Sequence, residues 1–262
     1  MVDGAPCIAG VASGMSDPIA LYQFTLPETL PGRSEGFGLP NLSPFCMKIG
    51  VWLTLAGVPF EVKDFDPFRS PTGKAPFIRM DGEIIADSSR IVQRVSERRG
   101  VSLDAHWTDD ERAKAALIQR VLEEHTYWSV LYQRWIDPEG WAIYEPIIRS
   151  SLPVPSLLGR VMTFFVQRRV RRQAWAQGLS RHPKDEIARR ALEDWAGVKA
   201  LFVGPYLLGE RVSTLDATVY TWLAHAVHPF WTGPIRTELE NDPVWRAYLE
   251  RMHVTLAEAS NR

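Results

Sequence analysis

The chain has 262 residues, of which 45% are apolar, and this length allows one large domain or two smaller ones with a real core. Its 30 basic residues nearly cancel its 31 acidic ones, so the formal net charge of -1 predicts no attraction to nucleic acid. Only Cys7 and Cys46 are present, which argues against a disulfide framework and for a reducing, cytoplasmic environment.

The N-terminus predicts neither a secretory signal nor a folded element. Residues 1–17 are small and weakly apolar, and Asp3 stands where a secretory signal would be basic. We therefore predict a disordered leader over 1–17. The most apolar later region, 147–165, is interrupted by arginines and prolines, so no integral membrane segment is predicted.

The segment 18–100 predicts a small α/β domain. The β-prone run IALYQF at 19–24 predicts a strand, and the stretch 28–42, rich in Gly and Pro, predicts a long loop. Apolar spacing from Pro44 predicts a helix with Ser43 as its N-cap and Gly57 at its end. Three further strands and a second helix are predicted at 59–65, 75–80, 83–87 and 88–100.

This order of elements predicts a thioredoxin-like domain, in which helices cover a mixed four-stranded sheet. The segment 101–262 is predicted to be an all-helical domain, with the boundary near 101–108. Periodic apolar residues predict its helices, the first of them long and largely buried. They are expected at about 111–136, 157–177, 184–203, 213–228 and 241–258.

The stretch SPFC, residues 43–46, places Ser43 at the helix start where a thiol oxidoreductase would have a cysteine. Backbone N–H groups and the helix dipole favour an anion at this position. A serine can donate its O–H to a bound thiolate and lower the pKa of that thiol. The alternative is that Ser43 only caps the helix. Cys46 could act as a redox cysteine, but without a cysteine partner at 43 we expect it to be a packing residue.

Two further motifs suggest a peptide-like ligand. In KAPF we predict a cis Ala75-Pro76 bond, which would let an extended ligand backbone pair with Ala75. In ADSS, Asp87 can meet a ligand ammonium group, while Ser88 and the helix N-terminal amides can meet a carboxylate. An ordinary trans proline would also explain KAPF, and an ordinary helix cap would also explain ADSS. Only the presence of both motifs favours a ligand.

In this order, followed by a helical half, these motifs resemble those of the glutathione S-transferase superfamily. The capping box of Ser213 and Asp216 in STLDA is similar to one in the helical domain of these proteins. Within the superfamily the chain most resembles the failed-axon-connections and metaxin-like branch. The stretches that carry this likeness are LYQF with PNLSPFCMK, EEHTYW, AWAQGLSRH and LDATVY.

The resemblance implies a glutathione S-transferase fold with glutathione as co-substrate and no metal. It implies that Ser43 faces the glutathione sulfur, that Ala75 and Pro76 meet the cysteinyl backbone, and that Lys74 meets the glycyl carboxylate. Asp87 and Ser88 would hold the γ-glutamyl end. Members of the superfamily usually form homodimers, so the resemblance implies a homodimer.

An acceptor pocket for a small hydrophobic electrophile would lie between the two domains. Its candidate residues are Tyr22, Phe45, Tyr127 and Trp128, with Tyr132 and Trp135 further along the same helix. Aromatic residues at helical spacing are more often core than pocket. The loop at 28–42 could hold Asn41 or Tyr22 near the sulfur, or it could block the site.

Between residues 146 and 184 there are eight basic residues and no acidic one. Part of this stretch, FFVQRRVRRQAW at 164–175, could bind anionic lipid or an acidic substrate as a basic amphipathic helix. The alternative, which we favour from the sequence, is a solvated arginine face that pairs with acids elsewhere.

The leading hypothesis is a cytoplasmic glutathione transferase in which Ser43 activates the thiol of glutathione. The alternative is a non-catalytic adaptor of the same fold that binds a protein or an anionic membrane surface. A third hypothesis is a mixed disulfide between Cys46 and glutathione.

Overall fold

The computed structural model describes residues 18–24, 41–66, 69–152, 154–229 and 231–261. The predicted leader at 1–17 and residues 28–40 of the predicted loop lie outside these ranges. The described chain begins with an α/β part and continues as helices.

A mixed four-stranded sheet forms the first part, as the sequence predicts. The strands are β1 Ile19–Gln23, β2 Phe60–Asp64, β3 Phe77–Met80 and β4 Glu83–Ala86. Their order in the sheet is β2-β1-β3-β4, with β1 and β2 parallel and the other pairs antiparallel. The two-residue turn between β3 and β4 places both Asp81 and Gly82 at positive φ, as the tight hairpin requires.

Two helices pack against this sheet. Helix α1, Pro44–Leu55, starts with proline at its first turn, where the missing N–H costs nothing. Gly57, at φ 64°, follows its C-terminal end. Helix α2, Ser88–Arg99, ends at Gly100 in the left-handed conformation, where glycine has no steric penalty.

The remaining elements are helical. They are α3 Asp109–Arg120, a π-helical turn Val121–Thr126, α4 Tyr127–Trp135, α5 Pro138–Ser150, α6 Ser156–Gln177, a 3₁₀ turn Leu179–Arg181, α7 Lys184–Ala200, α8 Thr214–Val227, α9 Pro234–Asn241 and α10 Pro243–Ser260. The fold class expected from the sequence is therefore confirmed. The long helix predicted at 111–136 is present, but a π turn interrupts its α-helical pattern in the middle. The expectation that it is largely buried is wrong, since only Ala115 and Ile118 of α3 are buried.

Two helices were absent from the expectation. In α5, Gly140 and Pro146 look like helix breakers, yet Pro138 and the Asp137 cap start the helix and Pro146 is accommodated within it. Helix α9 has only eight residues and is mostly polar, so periodicity gives little signal.

Helix α8 lies at the centre of the helical half. From Leu215 to Val227 every residue is buried, and helices α1, α9 and α10 pack against it. The Ser213–Asp216 capping box is present, with both the N–H and the O–H of Ser213 donating to the Asp216 carboxylate. Among the helices of the described ranges, none combines the length and apolar character needed to cross a membrane.

Candidate functional site

The register of the sheet gathers the three predicted motifs at one edge. Tyr22, near the end of β1, pairs with Phe77, and Phe77 pairs with Ala86 at the end of β4. Tyr22, Phe77 and Ala86 thus form a row across three neighbouring strands. Phe77 directly follows Ala75-Pro76, and Ala86 directly precedes Asp87. The two predicted ligand-binding segments are therefore attached to adjacent strands at this row. The segment that carries Ser43 is attached to the same edge through β1.

Ser43 is the N-cap of α1, as predicted. Its hydroxyl accepts from the backbone N–H of Cys46 at 3.4 Å, and the residue is partly exposed. The Asn41 side chain accepts from the N–H of Ser43 at 2.9 Å and donates to the carbonyl of Phe24 at 2.7 Å. This buried amide therefore ties the start of α1 to the end of β1, and its polar atoms are committed to the backbone rather than to a ligand sulfur.

Two buried side chains from the helical half hold the residues just before Ser43. Nη1 of Arg134, on α4, donates to the carbonyl of Leu42 at 2.6 Å. The imidazole of His225, on α8, contacts the carbonyl of Asn41 through Nε2 at 3.0 Å and that of Thr221 through Nδ1 at 2.8 Å. Neither Arg134 nor His225 was predicted from the sequence. The turn at Asn41 could have been predicted from the spacing Asn-Leu-Ser-Pro.

The Arg134 guanidinium is buried without a carboxylate partner among the described residues. It lies over the rings of Tyr144 at 5.6 Å and Trp231 at 4.9 Å, and it also interacts with the hydroxyl group of Tyr144. Burial lowers the pKa of Arg134, but an arginine so placed still carries its charge at neutral pH. A fixed positive charge therefore lies behind the start of α1.

Burial, followed by the charge of Arg134, lowers the pKa of His225 to about 3. The two carbonyl contacts oppose this shift but do not outweigh it. The imidazole is therefore neutral at physiological pH, so it carries one N–H and can donate to only one of these two carbonyls at a time.

The buried thiol of Cys46 does not have the properties of a nucleophile. The residue is fully buried. Desolvation raises the pKa of its thiol to about 11, although the hydrogen bond with Ser43 opposes the shift. The thiol is thus protonated and inaccessible, which agrees with the packing role expected for it and not with a redox role.

Lys74, Ala75 and Pro76 form the approach to β3. The Ala75-Pro76 bond is cis, as predicted. A hydrogen-bonded turn precedes it, in which the Ser70 hydroxyl donates to the carbonyl of Lys74 at 2.7 Å and accepts from its N–H at 3.1 Å. Lys74 is exposed and Pro76 is buried. The turn therefore places the Lys74 ammonium group at the surface, near the row of Tyr22, Phe77 and Ala86.

Asp87 and Ser88 form the start of α2. Asp87 is exposed at φ 77°, a conformation that few non-glycine residues adopt, and its Oδ1 accepts from the N–H groups of Ser89 and Arg90. These bonds leave Oδ2 available to a ligand ammonium group. Ser88 is buried beneath the turn.

A chain of polar contacts joins this corner to α1 and the helical half. The Gln119 side chain donates to the Ser89 hydroxyl at 2.8 Å and to Glu123 at 2.9 Å. Glu123, in the π turn, pairs with Lys48 of α1 at 2.6 Å, and the lysine is 1% exposed. Both predicted ends of the ligand site are therefore fixed to the same part of the helical half.

The structure separates the four candidates for an acceptor pocket. Phe45, Tyr127 and Trp128 lie together, with ring centroids 5.8 Å apart for the first pair and 5.2 Å for the second, and they remain partly exposed. Tyr22 instead stacks on Phe77 at 4.4 Å. Trp135 belongs to a different cluster with Trp141 and Tyr144, so it is a packing residue.

Two cavities in the described ranges lie away from this row. An open groove of about 210 Å³ lies between α3 and the start of α8, and a cavity of about 10 Å³ lies between α4, α7 and α8. Neither is lined by Ser43, Ala75 or Asp87. Within the described residues there is no cluster of three or more side chains that could bind a metal ion.

A sheet of this topology, with a capped helix and a β-α corner at one edge and an all-helical second half, defines the class of glutathione-transferase-fold proteins. The glutathione transferase GSTFuA2 of Phanerochaete chrysosporium has this fold, with a TM-score of 0.62, 15% identity and coverage of 92% of this chain and 98% of that one. The beta-etherase LigF of Sphingobium sp. strain SYK-6 is similar, with a TM-score of 0.57, 17% identity and coverage of 94% and 99%.

Sequence comparison extends this likeness beyond the fold. Residues 44–140 match the family model described as glutathione S-transferase N-terminal domain. The isoprene-epoxide glutathione S-transferase of Rhodococcus sp. strain AD45 is 32% identical over 238 residues, which are 86% of this chain and 97% of that protein. The chain belongs to the glutathione S-transferase family.

The chain is also similar in sequence to proteins of the failed-axon-connections and metaxin-like branch. Failed axon connections of Drosophila melanogaster is 29% identical over 219 residues, which are 79% of this chain and 50% of that protein. Metaxin-2 of Mus musculus is 27% identical over 158 residues, 58% of each chain. The likeness to the failed-axon-connections and metaxin-like branch that the motifs indicated is confirmed.

Proposed function

We propose that the protein is a glutathione transferase that activates the thiol of glutathione for attack on a small apolar electrophile. Glutathione would lie along the row of Tyr22, Phe77 and Ala86, with its sulfur at Ser43. Its cysteinyl backbone would pair with Ala75 beside Pro76. Asp87 and Ser88 would hold the γ-glutamyl end, and Lys74 the glycyl carboxylate.

One observation carries the proposal: the Ser43 hydroxyl is partly exposed at the start of α1, where it accepts from the backbone N–H of Cys46 and also contacts the Cys46 thiol. Because a hydroxyl rotates to suit its partners, its hydrogen would turn from Cys46 to a ligand sulfur. The α1 dipole and the buried charge of Arg134 add a positive potential at the same place. All three favour a thiolate over a thiol.

The reaction we propose begins with loss of the thiol proton to water. The thiolate then attacks a carbon of the electrophile, a C–S bond forms, and the bond from that carbon to the leaving group breaks. When the leaving group is a ring oxygen, the resulting alkoxide takes a proton from water. This chain would contribute positioning of the two reactants and stabilisation of the thiolate.

We propose small apolar epoxides as the class of acceptor. Support comes from the relative named an isoprene-epoxide glutathione S-transferase, since the match covers 97% of that protein. The aromatic rings of Phe45, Tyr127 and Trp128 would provide an apolar wall for such a molecule. Tyr22 would be part of this wall only if it turned from its stack on Phe77.

The test is the variant Ser43→Ala, with Ser43→Thr as a control that keeps the hydroxyl. A hydrogen bond to a charged group contributes about 1.5–3 kcal/mol. We therefore expect the pKa of bound glutathione in Ser43→Ala to rise by roughly one to two units. Ultraviolet absorbance of the bound thiolate and the pH dependence of kcat/KM for epoxide conjugation both measure this shift.

Ser43→Thr should keep a pH profile close to that of the wild type. Loss of the N-cap costs about 1 kcal/mol of stability, so circular dichroism should still show a folded Ser43→Ala protein. If Ser43→Ala and the wild type have the same pH profile, Ser43 has no part in thiol activation.

A second candidate is a non-catalytic adaptor of the same fold. It is favoured by relatives such as the Arabidopsis thaliana protein named a mitochondrial outer membrane import complex protein, which is 24% identical. Calorimetry with glutathione separates the two functions: a transferase should bind it at micromolar to millimolar concentration, whereas the adaptor would not bind it while folded. A homodimer and a cytoplasmic location complete the first proposal.

A further inference from the structure

Helix α6 is a long surface helix with only a narrow buried side. It has 22 residues, which corresponds to a length of about 33 Å. Only Gly159, Thr163 and Ala174 are buried, and they follow one another on the side that faces α4 and α5. Nearly all of the rest of this helix faces outward.

The N-terminal half of this outward surface is mostly apolar, and Arg160 is its one charged residue. Leu157 is 78% exposed and Phe165 is 62% exposed, values far from those of core residues. The other large apolar side chains exposed in this half are Leu158, Val161, Met162, Phe164 and Val166. A contiguous apolar surface of this kind marks an interaction site in a folded protein.

The C-terminal half of the same surface is cationic. Arg168, Arg169, Arg171 and Arg172 are all exposed, and α6 has no acidic residue. None of the four lies within ion-pair distance of a carboxylate among the described residues. The pairing with acids favoured from the sequence therefore occurs for Arg149 and Lys184 of the same basic stretch, but not for these four arginines. The acids of the neighbouring α5 already have partners: Glu145 pairs with Arg149, and Glu139 pairs with Lys184.

Part of the apolar half and part of the cationic half share one direction. At 100° per residue, Val161, Phe165, Arg168 and Arg172 all lie within about 40° of the direction opposite to the buried Thr163. A flat partner laid against α6 would therefore meet leucine, valine and phenylalanine at one end and arginine at the other.

We propose that α6 docks on the surface of an anionic phospholipid bilayer. The apolar end would enter the boundary between headgroups and acyl chains, and the arginines would lie at the lipid phosphates, with the exposed Trp175 beside them. This inference is independent of glutathione chemistry, since none of these residues belongs to the proposed thiol site.

A bilayer fits these two halves better than a second copy of the chain does. In a symmetric dimer built on α6, each apolar end could cover the partner's apolar end, but the arginines would meet arginines or apolar side chains. An anionic bilayer supplies both an apolar layer and a dense array of negative charges. Charge complementarity thus selects the lipid surface.

The experiment is flotation of the full chain with vesicles of phosphatidylcholine alone and of phosphatidylcholine with about one third phosphatidylserine. The cationic variant is R168Q/R169Q/R172Q, and the apolar variant is L157S/F165S. The matched control is R211Q/R246Q/R251Q, which removes the same number of exposed arginines from other elements. All of the substituted residues are exposed, so circular dichroism should show four folded proteins.

The wild type and the control should float with the anionic vesicles and not with the neutral ones, and 1 M salt should reverse the binding. The cationic and apolar variants should each partition at least tenfold more weakly. The proposal is overturned if the wild type stays unbound to anionic vesicles, or if the control weakens binding as much as R168Q/R169Q/R172Q. It is also overturned if the wild type is an unbound dimer that L157S/F165S converts to a monomer, as light scattering would show.

Discussion

Ser43 lies at the meeting point of contacts from distant parts of the chain. Asn41 holds its backbone N–H, Arg134 holds the carbonyl of Leu42, and His225 contacts the carbonyl of Asn41. Three consecutive residues are thus fixed by side chains from both halves of the molecule. Such a rigid support is what a group that must point at a reacting atom requires.

The depressed pKa of His225 predicts a pH-dependent stability. The unfolded chain binds a proton at this imidazole below pH 6.5, whereas the folded chain does so only near pH 3. Stability from this group is therefore present above pH 6.5 and is lost as the pH falls toward 3. Between pH 7.5 and pH 5 the loss should be about 2 kcal/mol. Urea denaturation at the two pH values measures it.

His225→Gln should remove this increment, because glutamine does not titrate in this range. His106→Gln, at an exposed position, is the control and should keep the pH dependence of the wild type. Equal losses of stability in the wild type and His225→Gln would show that His225 is not the group responsible.

At the level of single residues, the sequence was informative where the contacts are local. Ser43 before Pro44, and Asp87 before Ser88, could be recognised as helix caps because the bonded groups lie two or three residues away. The contact between Arg134 and Leu42 spans 92 residues, and that between His225 and Asn41 spans 184. No periodicity or spacing can predict such pairs before the fold is known.

Among the helices, the corner between α4 and α5 depends on a single glycine. A Cβ atom at Gly140 would lie 1.7 Å from the carbonyl oxygen of Gln133, so the backbones of the two helices approach too closely for any side chain. The Asp137 carboxylate accepts from the N–H of Gly140 at 3.3 Å and starts α5 there. The glycine is therefore a packing requirement of this corner and not a helix breaker.

Gly140→Ala should destabilise the protein by roughly 1–3 kcal/mol, because the two helices must move apart. Gly197→Ala is the matched control, since Gly197 is exposed within α7 and has open space around its Cβ position. That change should stabilise the protein by up to about 1 kcal/mol through helix propensity. Thermal unfolding compares the two, and a neutral or stabilising Gly140→Ala would contradict the packing argument.

The same corner explains what the sequence could predict among the elements. Strands, α1 and α2 could be predicted because alternating apolar residues, a proline and a glycine mark their ends. Helix α5 could not, since the role of Gly140 depends on where α4 lies. The π turn at Val121–Thr126 was equally hidden, because its apolar spacing reads as one continuous helix.

At the scale of the whole molecule, one buried ion pair joins the sheet part to the helices. Lys48 of α1 and Glu123 of the π turn are 2.6 Å apart, and both are almost wholly removed from solvent. Removing one member of a buried pair leaves the other charge unpaired, which is costly, whereas replacing both costs much less. The pair therefore couples the folding of the two parts.

Lys48→Met should destabilise the protein by about 3–5 kcal/mol. Lys48→Met combined with Glu123→Leu should recover most of that loss in guanidinium unfolding. The control is Lys114→Met, which breaks the exposed pair with Asp110 on α3 and should cost less than about 0.5 kcal/mol. If Lys48→Met is as mild as Lys114→Met, the pair does not link the two parts.

The overall architecture could be predicted from the order of elements. A chain with the order β-α-β-β-β-α, followed only by helices, can bury its apolar faces in few compact arrangements. The way the two parts are fixed together could not, since it depends on contacts such as Gln119 with Ser89 and Lys48 with Glu123. Neither pair is suggested by its immediate neighbours in the chain.

The alignment of Tyr22, Phe77 and Ala86 in one row has an evolutionary consequence. Inserting or deleting one residue inside β1, β3 or β4 would turn every following side chain of that strand to the opposite face of the sheet. Changes that alter this site in descendants of the chain are therefore expected to be substitutions at the ends of these strands, and not changes in the lengths of the strands.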